Sequence, residues 1–388
     1  MEQPVLDLSA APLTTDELDQ ADDIFRKLID HCEPLQSKIP YKKVTLVRLT
    51  YEHCRSKHTF LRQIFTYLDA EDQNSQDPPP TFEHGLLKYS TFNSEAAPAK
   101  KGEVEHVIDS FAEISLIIFS CQEQRRHSQP QLLCQLLQEN VAGTPARLST
   151  LRRDCLIRDH NRCMATRLFN MTEAAGRFEQ TRDTTSDLKD DDGQPLIFER
   201  SQLAQLEVAH IIPHSIMSAT TVDGQLQVSK SKKTALSILN MFDPGVIHLI
   251  EGPNIDRPRN ALTLAIEAHR YFGNFELFFD AMDDDGASTD LKHTYKIHSP
   301  KDSATVLLNL PVTRTLLLSP NHTIDPPSSQ LLALHRAIAI ILHLSAAGEY
   351  INRIIRDSEQ LWVRNDGSSE LGQLVSLRLG GWLDGVAT

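Results

Sequence analysis

The sequence predicts an α+β chain that is mostly helical, with a central segment of short strands set between two helical regions. Three observations carry this. Up to about residue 141, apolar positions recur at helical spacing between N-cap and proline signals. Residues 206–279 instead place two short, strand-like apolar runs ahead of a helical pattern. Beyond about 285, strand-like runs give way to a long apolar helical face that includes Leu331, Leu332, Ile338, Ile341 and Leu342. The expected division is 1–141, 142–285 and 286–388, with a loop or linker over 69–102.

Thr14, Asp16 and Glu17 mark a helix start, and Leu18, Ala21, Ile24, Phe25 and Leu28 repeat behind them until Pro34. A second helical pattern runs from Pro40 to about Leu68. Its His53, Cys54 and His58 have the look of metal spacing, but no further Cys or His supports them, and a structural or surface role is the reading. Residues 69–102 are rich in Asp, Ser, Pro and Lys, which suits a loop. Helices are expected again over 103–123 and 130–140.

Residues 146–167 pack Arg147, Arg152, Arg153, Arg158, Arg162 and Arg167 against only Asp154 and Asp159. Such a cluster suits either a phosphate-contacting edge or a solvated helix face with Asp–Arg pairs. Arg152, Arg153, Arg158 and Arg162 are the candidate nucleic-acid contacts, with Lys232 and Lys233 at the start of a later helix. The helix is expected to end in a turn at Asn161, and Cys163 and Met164 to open a strand. Residues 179–200 read as an acidic, exposed insertion. Residues 203–213 read as a strand, Val246–Ile250 as another, and 254–259 as a tight loop. Strands are also expected at 295–298 and 305–310.

The chain has 388 residues, 40% hydrophobic and 23% charged, which is ordinary globular usage and excludes a wholly disordered protein. No apolar run approaches the ~20 residues a membrane span needs, so no membrane partner is expected. The first residues are acidic and lack a basic stretch, so no secretory signal is expected. The six cysteines form no CxxC pair, and they read as reduced thiols of an intracellular, nuclear or cytoplasmic protein. The net charge of −13 argues against a surface that coats nucleic acid broadly. A local basic patch and a bound cation can still serve one phosphate.

His210 ends the first apolar run, Asn260 precedes the second, and His269 lies in the helical pattern after it. Phosphodiester hydrolysis needs a base for water, a cation for the phosphate, and something to fix the base. Histidine suits the first task because its ordinary pKa lies near working pH. The stretches AHIIPHS, ILNMFDPGVIHLIEG and RPRNALTL…HRYFG resemble the His-Asn-His (HNH) endonuclease family, in particular its fungal proteins with an AHIIPHS core, over about 150–285.

That resemblance implies a ββα-metal fold, also called a His-Me finger: two strands and a helix around one divalent cation. It implies His210 as the general base, Asn260 as the group that holds the imidazole, and His269 as a cation ligand. Mg²⁺ is the implied cation, with Mn²⁺ or Zn²⁺ as alternatives, and DNA is the implied substrate, with RNA open. The family often sets a metal-binding Asp or His directly before the base, where this chain has Ala209. Asp256, His214 and Glu267 are the candidate replacements. Two readings follow: a metal-dependent endonuclease, or a catalytically weak HNH-fold module that binds nucleic acid or a protein partner. A protein partner or a second copy would use the helical flanks.

Overall fold

The computed structural model describes residues 12–70, 80–92, 104–106, 108, 109, 111, 112, 145–181, 188–196, 200–213, 220–222, 225–227, 239, 240, 242–282 and 293–353, in an α+β architecture. Helix α1 (Thr15–Cys32) begins with a reciprocal cap. Thr14 Oγ1 accepts from the Glu17 backbone N–H, and the Glu17 carboxylate accepts from the Thr14 N–H, which satisfies two orphan donors. The pattern expected from Pro40 to Leu68 is two helices, α2 (Lys43–His53) and α3 (Lys57–Ala70). They part at Cys54, which is buried with its thiol on the Tyr51 carbonyl.

The expected loop at 69–102 contains a helix, α4 (Phe82–Tyr89). Thr81 caps it by accepting from the His84 N–H, and Asp69 accepts from the Thr81 N–H and pairs with the His84 ring. Gly85 permits close contact with α3, since a Cβ there would lie 2.0 Å from the Phe65 carbonyl oxygen. The Asp-, Ser-, Pro- and Lys-rich stretches around it dominate the composition of 69–102, which is why the helix is hidden there. The expected helix at 130–140 lies outside the described residues.

Helix α5 (Pro145–Arg158) ends in a turn where His160 and Asn161 take left-handed φ angles of 52° and 53°. Cys163 and Met164 lie buried in that turn, not in a strand; the strand here is β1 (Phe169–Asn170), followed by α6 (Met171–Thr181). The acidic stretch around 190 is exposed over 191–195, as expected, but ion pairs and hydrogen bonds anchor it. Asp190 is buried against Arg162, Asp191 takes Arg177 and Asn161, and Asp192 takes the His160 ring. Burial disfavours the charge on Asp190, yet Arg162 and the backbone N–H groups of Gln194 and Asp192 hold its carboxyl below the ordinary value.

Strand β2 (Leu203–Ala204) runs parallel to β1, and β3 (Leu206–His210) follows at once. Strands β4 (Thr220–Val222) and β5 (Gln225–Gln227) pair with each other. Val246–Ile250 is a helix, α7, where a strand is expected. Its buried residues are Val246 and Ile250, four apart, and so short an apolar run does not distinguish the two forms. Two tight 3-10 turns at Gly252–Asp256 and Pro258–Asn260 lead into β6 (Ala261–Ala265) and α8 (Ile266–Gly273).

Strands β7 (Phe278–Ala281), β8 (Thr294–His298) and β9 (Val312–Thr315) form an antiparallel sheet separate from β3 and β6. Between β8 and β9 the first half of the expected strand at 305–310 ends a helix, α9 (Asp302–Leu307), which buries only Ala304, and a turn follows it. Helix α10 (Ser329–Leu344) is the long apolar helix of the sequence, capped by Ser328. One hydrophobic cluster runs from Ala21 in α1 through β3, β6 and α8 to Ile351, so the three sequence regions share a core. Among the described residues, no single helix is long and apolar enough to cross a membrane.

Candidate active site

The site grows from the β3–β6 pair. The two strands are antiparallel, with His210 opposite Ala261 and Leu206 opposite Ala265. A strand presents alternate residues to alternate faces. Val208 packs with Leu151, Cys155 and Ala261, on the side covered by α5. Glu207 and Ala209 turn to the other side, where α8 lies. His210 is the last residue of β3, which places its ring at the rim of the hairpin.

At that rim His210 Nε2 donates to Asp256 Oδ1 at 3.2 Å. Asp256 closes the first 3-10 turn, and its side chain is only 3% exposed, so the carboxylate is almost wholly shielded from water. Asp256, a candidate metal ligand in the sequence, stands here beside the His210 imidazole. Carboxylate against imidazole fixes the ring and its tautomer.

Asn260 bears on His210 through the backbone, with its amide group spent on main-chain partners. Its Oδ1 accepts from the Ile212 N–H at 2.9 Å, and its Nδ2 donates to the carbonyls of Ile212 and Ile255, each at 2.9 Å. Both amide hydrogens are therefore spent on backbone, and none is left for the imidazole. The Asn260 carbonyl also accepts from the Ile211 N–H at 2.8 Å. This fully buried residue thus pins the chain that leaves His210 to the turn that carries Asp256. It positions the pair through the backbone.

Arg158 likewise falls away as a nucleic-acid contact. It is fully buried, with Nε and Nη2 on Asp159 at 2.6 and 2.9 Å, Nη1 on the Pro258 carbonyl at 2.7 Å, and Nη2 on the Ala261 carbonyl at 2.9 Å. Asp159 also accepts from the Thr263 N–H at 3.1 Å. The pair staples α5 to the turn that holds Asn260. Arg162 is spent on Asp190 and the Arg167 carbonyl, and Arg152 reaches the Leu206 carbonyl at 3.1 Å. Arg153 stays exposed, beside Asp154. Lys232, Lys233 and His214 lie outside the described residues.

On the α8 side, His269 Nδ1 donates to Glu207 Oε2 at 2.7 Å. Glu207 escaped the sequence reading, although it is the single acidic residue of an apolar strand and shares the Ala209 face by two-residue period. Glu267 sits exposed in the first turn of α8. Among the described residues, no three His, Cys, Asp or Glu side chains gather as a metal-holding group. The structure therefore sorts the predicted constellation into two pairs, His210–Asp256 and His269–Glu207. A carboxylate and an imidazole side by side are a chemically suitable, if incomplete, donor set for a divalent cation that takes its other ligands from water and phosphate.

No curated protein and no solved structure matches the chain. Residues 183–280, about a quarter of the chain, match a family model described as HNH endonuclease. The stretch that holds both pairs and Asn260 is thus the stretch that is similar to HNH endonucleases.

Proposed function

We propose that this chain is a metal-dependent HNH-type endonuclease that hydrolyses nucleic-acid phosphodiester bonds, DNA first, from a ββα module of β3, β6 and α8. The observation that carries the reading is the His210–Asp256 pair at the end of β3, inside the matched segment. With Nε2–H given to Asp256, the basic lone pair of His210 is on Nδ1. Water attacks phosphorus through its oxygen, and its proton passes to Nδ1. The bond from phosphorus to the leaving sugar oxygen breaks, and that oxygen takes a proton from solvent. Asp256 stabilises the imidazolium formed in this step. Asn260 and the Arg158–Asp159 staple keep the two partners in register.

A divalent cation, Mg²⁺ by expectation and Mn²⁺ or Zn²⁺ as alternatives, supplies charge neutralisation at the phosphate when bound. His269 is its expected ligand. The test is nicking of supercoiled plasmid by the purified chain with Mg²⁺ or Mn²⁺. The parent nicks, a chelator stops it, and His210→Ala slows it about 10²- to 10⁴-fold, the usual worth of a general base. No cleavage of any DNA or RNA form with any divalent cation overturns the proposal and leaves a binding module.

A further inference from the structure

The position before the base carries no donor in this chain, because Ala209 is a methyl group and is buried. The geometry points to Glu207 as its replacement: Glu207 and His269 together chelate the divalent cation, one strand position pair upstream of where the family places a ligand. This deepens the nuclease reading and rests on it for its purpose.

Three facts support the pair. Glu207 lies on the face of β3 that α8 covers, and α8 sets His269 directly against it. Glu207 Oε2 and His269 Nδ1 are 2.7 Å apart, whereas neighbouring ligands at right angles on an ion with bonds of about 2.1 Å lie about 3 Å apart. Opening by a few tenths of an ångström, with loss of the shared proton to solvent, converts the hydrogen bond into two ligands. Both side chains are also accessible, with Glu207 49% and His269 34% exposed, so an ion can enter and keep positions for water and phosphate.

The pair is mixed, one hard oxygen and one imidazole nitrogen, which suits Mn²⁺ as a probe. The experiment titrates Mn²⁺ into the full chain without nucleic acid and reads binding by calorimetry and by electron paramagnetic resonance. The parent is expected to bind Mn²⁺, with competition by protons as the pH falls. Glu207→Gln and His269→Ala are each expected to weaken binding about tenfold or more. Glu267→Gln, on the exposed first turn of α8, is expected to leave binding unchanged. Circular dichroism melts confirm that each variant is folded. Parent-like Mn²⁺ binding by Glu207→Gln, or weakening by Glu267→Gln instead, overturns the assignment. Binding that depends on Glu207 in a chain that cuts nothing sinks the nuclease reading alone. Metal-dependent cutting with binding indifferent to Glu207→Gln sinks this inference alone.

Discussion

Replacing Asn260 by aspartate is the sharpest test of how the site is held. The two side chains have nearly the same shape, so packing is conserved and only hydrogen-bond polarity changes. Asn260 accepts once, from the Ile212 N–H, and donates twice, to the carbonyls of Ile212 and Ile255. A carboxylate keeps the first contact and sets oxygen against oxygen in the other two. Each lost bond that leaves a buried acceptor unsatisfied costs about 1–3 kcal/mol, so two cost about 2–6 kcal/mol, before the penalty of burying a charge at a position with no exposure. Asn260→Ala leaves three buried backbone groups without the amide, about 3–9 kcal/mol on the same scale, but buries no charge, whose penalty alone is larger still. Urea unfolding of parent and both variants measures this. The expected order is parent, then alanine, then aspartate as the least stable, with partial recovery of the aspartate variant as acid protonates the carboxylate and restores one donor. If aspartate matches the parent in stability, the amide hydrogens do no structural work, and the positioning role assigned to Asn260 is wrong.

Arg158→Met leaves the Asp159 carboxylate buried without its cation and is expected to cost about 3–5 kcal/mol in urea unfolding. Arg158→Lys recovers little, because one ammonium cannot serve the carboxylate and the Pro258 and Ala261 carbonyls together. In the plasmid assay, Asp256→Asn is expected to lower kcat with KM little changed, since the carboxylate acts on the imidazolium and not on bound substrate. Burial pushes the thiols of Cys32 and Cys155 up to about 12 and that of Cys54 up to about 11, from an ordinary 9.0. A raised value means the folded state keeps a proton that the unfolded chain releases, so this stability is intact below about pH 9 and is lost as the pH climbs through 11–12. Site-resolved alkylation near pH 8 should leave these three unmodified in the native protein, and unfolding midpoints should fall between about pH 9 and 11.

The sequence was most legible where one local signal sufficed. The cap at Thr14 and Glu17, the left-handed turn at Asn161 and the apolar stripe of α10 each follow from a few neighbouring residues, and the structure has them in place. It was least legible where short apolar runs had to be typed. Val246–Ile250 and the first half of 305–310 became helical, and α4 was hidden by the loop-like composition around it, because partners far along the chain settle the form of so short a segment. Charge was misread for a related reason. Arg158 and Arg162 form an exposed-looking cluster with their neighbours, yet their carboxylate and carbonyl partners include groups from about 25 to 100 positions away.

From residue order alone, His210, Asn260 and His269 could be chosen as candidate site residues, because their spacing around two apolar runs is a one-dimensional pattern. Which of them touch could not be read. A strand presents alternate residues to opposite faces, and a turn returns the chain from a distance that no local window spans. Tertiary packing therefore decided that Asp256, not Asn260, meets the His210 ring, that Asn260 spends its amide on backbone, and that Glu207 stands beside His269 on the face where Ala209 has nothing to offer.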